Sequence, residues 1–171
     1  MRSRRLEREG PEVSVVGLGC NNFGRTVDLE GTRAVVDAAL DAGVTLLDTA
    51  DVYGDKGGSE SFLGEVLEGR RDRVVLATKF GQDMGDGTVA RGSHAYIHKA
   101  IDASLQRLRT DVVDLYQYHT PDKVTPFEET FGALDELVRA GKVRYVGHSI
   151  SMRPRSRRSM RSVASTALRG R

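Results

Sequence analysis

Cysteine is nearly absent from this chain: Cys20 is the single thiol in 171 residues. One thiol excludes an intrachain disulfide framework and fits a reducing, cytoplasmic setting. No apolar run is long enough to span a bilayer. The basic start, Met1-Arg2-Ser3-Arg4-Arg5, is not followed by an apolar h-region, so no signal peptide is expected. A nucleophile motif and a metal-ligand set are also missing. His94 and His98 have the i,i+4 spacing of a zinc pair, but no third ligand is near in sequence; a solvated first helical turn and no metal are expected. The glycines of Gly17-Leu18-Gly19 and Gly24 do not make the G-x-G-x-x-G dinucleotide fingerprint, because the third comes too late.

Acid is lacking at one end. Residues 151–171 hold seven arginines and no Asp or Glu, so the formal charge of +2 comes from that tail. The first 150 residues carry 19 basic and 24 acidic groups, a mildly acidic body. Overall basicity is therefore weak grounds for nucleic-acid binding. The length suits one domain.

What is present is an alternation of short apolar runs and amphipathic segments. Residues 4–8 and 12–16, around Gly10-Pro11, suit a small hairpin. A strand ends near Leu18. Asp28 caps a helix over about 29–42, with Gly43 at its C′ position. Val44 to Asp48 is a buried strand. Ser59 is expected to cap a second helix that Gly69 ends, and Arg70 to Arg73 form a solvated link. Val74 to Thr78 is a strand running into Lys79. After a long Gly/Asp loop over 80–92, Ser93 caps a third helix. Val112 to Tyr118 is a strand ending in His119. Thr125, Pro126 and Glu128 spell a capping box for a fourth helix, with Phe127, Phe131, Leu134 and Val138 on its face. Val143 to Gly147 is a fifth strand, with His148-Ser149 at its end. The order is strand–helix four times and then a strand, hence parallel α/β units with right-handed crossovers. The lengths suit a (β/α)8 barrel or a doubly wound sheet, and the missing fingerprint favours the barrel.

Asp48, Lys79 and His119 each stand just past a strand, and Tyr53 lies in the loop after the second. In a parallel barrel such positions share one mouth. The structural alternative is a buried Asp48–Lys79 ion pair with a packed His119. The chemical reading is more specific. Tyrosine is a poor acid–base group at neutral pH, but a nearby ammonium favours its phenolate. A carboxylate keeps that ammonium charged, and a histidine can orient a carbonyl oxygen. Together they would polarise a carbonyl and protonate the developing alkoxide. With neither nucleophile nor metal, the electrons must come from a cofactor.

These residues carry a resemblance. Gly17-Leu18-Gly19 with Asn22-Phe23-Gly24, Leu47-Asp48-Thr49-Ala50 with Tyr53-Gly54, Ser59-Glu60 before Leu63-Gly64, Thr78-Lys79-Phe80-Gly81, Asp114-Leu115-Tyr116-Gln117 with His119, and Gly141-Lys142-Val143-Arg144 with Gly147 and Ser149 together resemble the aldo-keto reductase superfamily. The likeness is closer to its bacterial and potassium-channel β-subunit-like branch. It runs from about residue 4 to 149. It implies a (β/α)8 TIM barrel that reduces aldehydes or ketones with NADPH. It makes Tyr53 the proton donor, Lys79 and Asp48 its tuning pair, and His119 the substrate orienter. It places Gly19, Asn22, Asp48 and Ser149 at the cofactor, Ser149 against the nicotinamide carboxamide.

The pattern departs after Ser149, where Ile150-Ser151-Met152-Arg153-Pro154 replaces the family's continuation and an Arg/Ser-rich tail follows. Residues 150–171 are expected to be an out-of-frame, disordered tail beside a partial barrel domain over 1–149; a patch for RNA or an anionic surface is the alternative. Five strands and four helices fall short of the about 250 residues of a typical barrel. Poor NADPH binding and little turnover are therefore expected. A non-catalytic fragment and a nicotinamide-binding interaction subunit compete with a working carbonyl reductase.

Overall fold

The computed structural model describes residues 1–6 and 10–149. The expected tail over 150–171 lies outside them. The chain opens with an antiparallel pair, β1 (Ser3–Arg5) and β2 (Glu12–Ser14), which is the expected hairpin. Then β3 (Gly17–Gly19), α1 (Leu29–Asp41), β4 (Leu46–Asp48), α2 (Tyr53–Val66), a 3-10 turn (Arg71–Arg73), β5 (Val75–Phe80), α3 (His94–Leu108), β6 (Val113–Tyr118), α4 (Phe127–Arg139) and β7 (Val143–His148) follow. The last five strands form one parallel sheet in sequential order, β3-β4-β5-β6-β7. Sequential parallel order with a helix after each strand is the winding of a TIM barrel, not of a doubly wound sheet, whose order reverses. Among the described residues the sheet does not close: β3 and β7 each have one neighbour.

Side-chain alternation divides the sheet into two unequal faces. Leu47, Leu76, Phe80 and Tyr116 point to the helical layer and pack with Leu63, Ile97, Ile101, Leu134 and Leu137. This is the core, and each such side chain contributes about 1.5–3 kcal/mol by leaving water. The alternate residues, Leu46, Asp48, Ala77, Lys79, Leu115 and Gln117, line a concave cleft of about 430 Å³. A closed barrel fills that space with side chains from eight strands. The central strand β5 is thus buried on both faces, with Ala77 and Lys79 closed off, while Leu46 and Asp48 on β4 and Leu115 and Gln117 on β6 are only half-buried on the concave face.

Two caps form as expected. Asp28 accepts from Gly31 N at 2.8 Å, and Ser93 accepts from Tyr96 N at 3.4 Å. The others differ. The α2 segment begins at Tyr53, and Gly54, Asp55 and Lys56 then take left-handed backbone angles, with φ of 67°, 54° and 69°. Ser59 is not a cap. Its buried hydroxyl lies 2.8 Å from both Cys20 O and Thr49 Oγ1, tying α2 to the loops after β3 and β4. The Thr125 capping box does not form, because Asp122 takes the Thr125 hydroxyl at 2.7 Å and Pro126 is the N-cap. The buried face of α4 is Thr130, Ala133, Leu134 and Leu137, while Phe127 is exposed. Arg70–Arg73 are a solvated link in part: Asp72 and Arg73 are exposed, but the two residues before them are held. Arg70 pairs with Asp37, and Arg71 reaches Asp114 at 2.8 Å.

Gly64 is required by packing. A Cβ there would meet Arg107 O at 2.2 Å, so α2 and α3 approach as closely as they do only with glycine.

Candidate active site

The four expected residues converge at the C-terminal ends of the strands. Lys79, inside β5 and not just past it, is 3% exposed. Its ammonium donates to Asp48 Oδ2 at 2.9 Å and to Thr49 O at 2.8 Å. The second oxygen of Asp48 accepts from Gln117 Nε2 at 3.2 Å. Lys79 Nζ also stands 4.9 Å from the centroid of the Tyr53 ring. His119 meets that ring edge-on, with centroids 5.7 Å apart and an interplanar angle of 86°.

The backbone explains the convergence. β4 and β5 are in register with Leu47 opposite Leu76 and Asp48 opposite Ala77, so Asp48 and Lys79 lie on the same concave face. The β4 exit is held to β5: Thr49 N donates to Ala77 O at 2.9 Å and Asp51 N to Lys79 O at 3.0 Å. His119 N bonds Phe80 O at 2.8 Å, which sets the histidine beside the end of β5. Tyr53 is fixed by the left-handed turn after it. A Cβ at Gly54 would fall 2.4 Å from Phe23 O, so the loop after β3 presses on that turn.

His119 is 8% exposed, and Nε2 lies 3.1 Å from Gln82 Nε2. Its Nδ1 is buried without a hydrogen-bond partner. Burial first, and the Lys79 charge second, lower its pKa from the ordinary value, so the ring is neutral near pH 7. A neutral ring donates from one nitrogen only.

The expected cofactor residues divide. Gly19, Asp48 and Ser149 line the concave cleft with Lys79 and Gln117. Ser149 is anchored by its own N–H to Tyr118 O at 3.1 Å. Asn22 is not among the lining residues; its carbonyl instead organises the loop before α1, accepting from the amides of Thr26 and Val27. Space exists at the strand end, since a Cβ at Gly19 would touch nothing within 4 Å.

Three contributors escaped the sequence reading. Gln117 and Gln82 hold Asp48 and His119; the first belongs to the Asp114–Gln117 motif and the second to the Gly/Asp loop over 80–92, and neither carried a role because an amide has no charge pattern. Asp51 is the third. It is 2% exposed and neither carboxylate oxygen has a hydrogen-bond partner. Burial, with the Glu60 carboxylate second, raises its pKa to about 7. Beneath it on the helical side, Glu60 accepts from Arg107 at 2.7 Å and from Thr78 Oγ1 at 2.5 Å. Cys20 is buried, and burial ahead of the Asp48 charge pushes its thiol up to about 12.

Fold and site together define a class: sequentially wound parallel βα units with a tyrosine, a lysine, an aspartate and a histidine gathered at the strand ends. The family follows. The Aldo/keto reductase family model matches residues 15–164, and the chain belongs to that family. It is 40% identical over 157 residues to the uncharacterized oxidoreductase YqkF of Bacillus subtilis (strain 168), covering 90% of this chain and 50% of that protein. It is 42% identical over 147 residues to the aldo-keto reductase YhdN of the same organism, covering 82% of this chain and 44% of that one. The holo form of the aldo-keto reductase AKR11C1 from Bacillus halodurans superposes with a TM-score of 0.77 at 39% identity, over 87% of this chain and 50% of that chain. The chain thus spans about half the length of the curated relatives it matches. No helix among the described residues is long and apolar enough to cross a membrane.

Proposed function

We propose that this site performs NADPH-dependent reduction of a small aldehyde or ketone to an alcohol, with Tyr53 as proton donor. The observation that carries this reading is the Lys79 ammonium, held 2.9 Å from Asp48 and 4.9 Å from the Tyr53 ring. That charge favours negative character on the phenol as its proton leaves. Asp48 and Thr49 O fix the ammonium in place, so the electrostatic arrangement exists before substrate arrives. His119 supports the reading as a neutral ring beside Tyr53; its Nε2 here accepts from Gln82 Nε2, and in the other tautomer, with Gln82 displaced, the same nitrogen would donate to a carbonyl oxygen and align it towards Tyr53.

The residues present fit a nicotinamide: the Gly19 strand end is open, and Asp48 and Ser149 offer polar atoms on the same cleft. When bound, the reduced nicotinamide supplies the hydride. Asp48 and Ser149 would hold its carboxamide side, while Tyr53 delivers the proton to the alkoxide oxygen. The choice of NADPH over NADH, and a small-molecule carbonyl as partner, rest on the family likeness. A cytoplasmic location rests on the lone reduced thiol.

The open sheet favours a second reading, weak or no turnover by the 171-residue chain. The described cleft walls a cofactor on one side only. The test is NADPH consumption with a simple aldehyde, paired with NADPH fluorescence titration. Turnover lost in Tyr53→Phe while binding is retained supports catalysis by this site. Binding without turnover in the unaltered chain leaves the non-catalytic reading. Turnover that survives Tyr53→Phe removes Tyr53 as the donor.

A further inference from the structure

The two histidines at helical spacing that no third ligand accompanied in sequence acquire one in the fold. His94 and His98 lie in the first turns of α3, and Glu136 comes from the last turn of α4. Their ligand atoms all lie within 4.8 Å of one another. His94 Nε2 is 2.8 Å and His98 Nε2 3.3 Å from the same oxygen, Glu136 Oε2. The two rings stand 4.3 Å apart, tilted by 30°. We propose that His94, His98 and Glu136 form a binding site for a divalent transition cation, with Zn2+ the best match, clamping α3 to α4.

Donor type and geometry carry this. Two imidazoles and one carboxylate are the borderline-to-hard set that suits Zn2+ and its neighbours, and three protein ligands leave a position for water. In a tetrahedral zinc site with ~2.0–2.1 Å bonds, donors stand roughly 3.3 Å apart. Of the two imidazole–carboxylate separations, 3.3 Å matches that value and 2.8 Å falls short of it, so small side-chain rotations would seat the ion. The Nε2 atom of His98 is buried and makes no hydrogen bond although it faces the carboxylate, which is a lone pair or proton without a partner. A cation would satisfy it. The anchoring is local: Glu129, also on α4, takes the His94 backbone N–H at 3.0 Å and fixes where the α3 helix starts.

The consequence is mechanical. His94 follows directly on the long loop after β5, the loop that carries Gln82. A metal clamp would pin the far end of that loop to α4. The proposal does not depend on the reductase reading.

The test is titration of the full 171-residue chain with Zn2+, read by calorimetry and by melting temperature. One equivalent should bind and raise the melting temperature by several degrees. His94→Asn, His98→Asn and Glu136→Gln should each weaken binding by an order of magnitude or more. These side chains are 52%, 33% and 50% exposed, so the variants should fold. Carbethoxylation of the unaltered chain, located by mass spectrometry, gives a second readout: Zn2+ should protect His94 and His98. No saturable binding, binding undiminished in all three variants, or protection confined to His119 or His148 would each overturn the site.

Discussion

A buried carboxylate without a partner usually costs stability, and Asp51 is such a group beside the proposed proton donor. Its pKa of about 7 in the fold stands above the ordinary 3.8. The folded chain therefore keeps a proton that the unfolded chain releases between pH 4 and 7. Stability due to this group is full below pH 4 and is lost as pH rises through that window. Asp51→Asn should remove the loss. Urea midpoints of the variant and the parent should agree near pH 4, separate as pH rises to 7, and stay apart by a few kcal/mol above it. A gap that is independent of pH would show that Asp51 is ionised in the fold. Cys20 makes a second residue-scale case. Its buried thiol, pushed up to about 12, should resist a thiol reagent in native buffer and react fully in denaturant. Fast native labelling would mean that the loop after β3 opens.

Elements here are joined by polar hubs as much as by apolar contact. Asp114 on β6 is 3% exposed and accepts from Leu76 N at 2.9 Å, Arg71 at 2.8 Å and Arg144 at 2.6 Å. One side chain thus ties β5, β6, β7 and the 3-10 turn. Asp114→Ala takes the acceptor from the buried Leu76 amide, while Arg71 keeps Val74 O and Val112 O and Arg144 stays open to water, and it should cost about 1–3 kcal/mol in chemical denaturation. A cost under about 1 kcal/mol would mean that water replaces the carboxylate. The α2–α3 contact depends on Gly64 in another way. Gly64→Ala forces the helices apart against Arg107 O and should destabilise by about 1–3 kcal/mol or more. Arg107 is the same residue that pairs with buried Glu60, so the shift would also loosen the layer under Asp51 and Thr78.

For the molecule as a whole, the two faces of the sheet differ in burial. The helical face is closed, while the concave face leaves Leu46 and Leu115 half-buried between β3 and β7, whose outer edges have no partner strand among the described residues. Exposed parallel edges bordering an apolar concavity favour pairing with other chains. The 171-residue chain should self-associate with rising concentration in gel filtration. Leu115→Lys, which places a charge in the concavity, should shift it towards monomer. A monomer at all concentrations would show that something covers this face.

By itself the sequence determined the succession of βα units, the helix starts at Asp28 and Ser93, and the four polar residues at strand ends. Each is written in local periodicity, a capping side chain, or a break from apolar to charged. It could not determine what depends on chain segments far apart. Asp122 outcompetes Glu128 for Thr125 because the turn brings it closer. Ser59 leaves its capping role because Cys20 and Thr49 lie within reach. Arg71 is drawn from solvent by a carboxylate more than 40 residues away. Barrel winding was chosen over the doubly wound alternative by strand order, which hydropathy does not encode. The third ligand beside His94 and His98 came from another helix. Tertiary structure decided these points because a side chain's partner is set by distance in space, and only packing of the sheet against its helices fixes that distance.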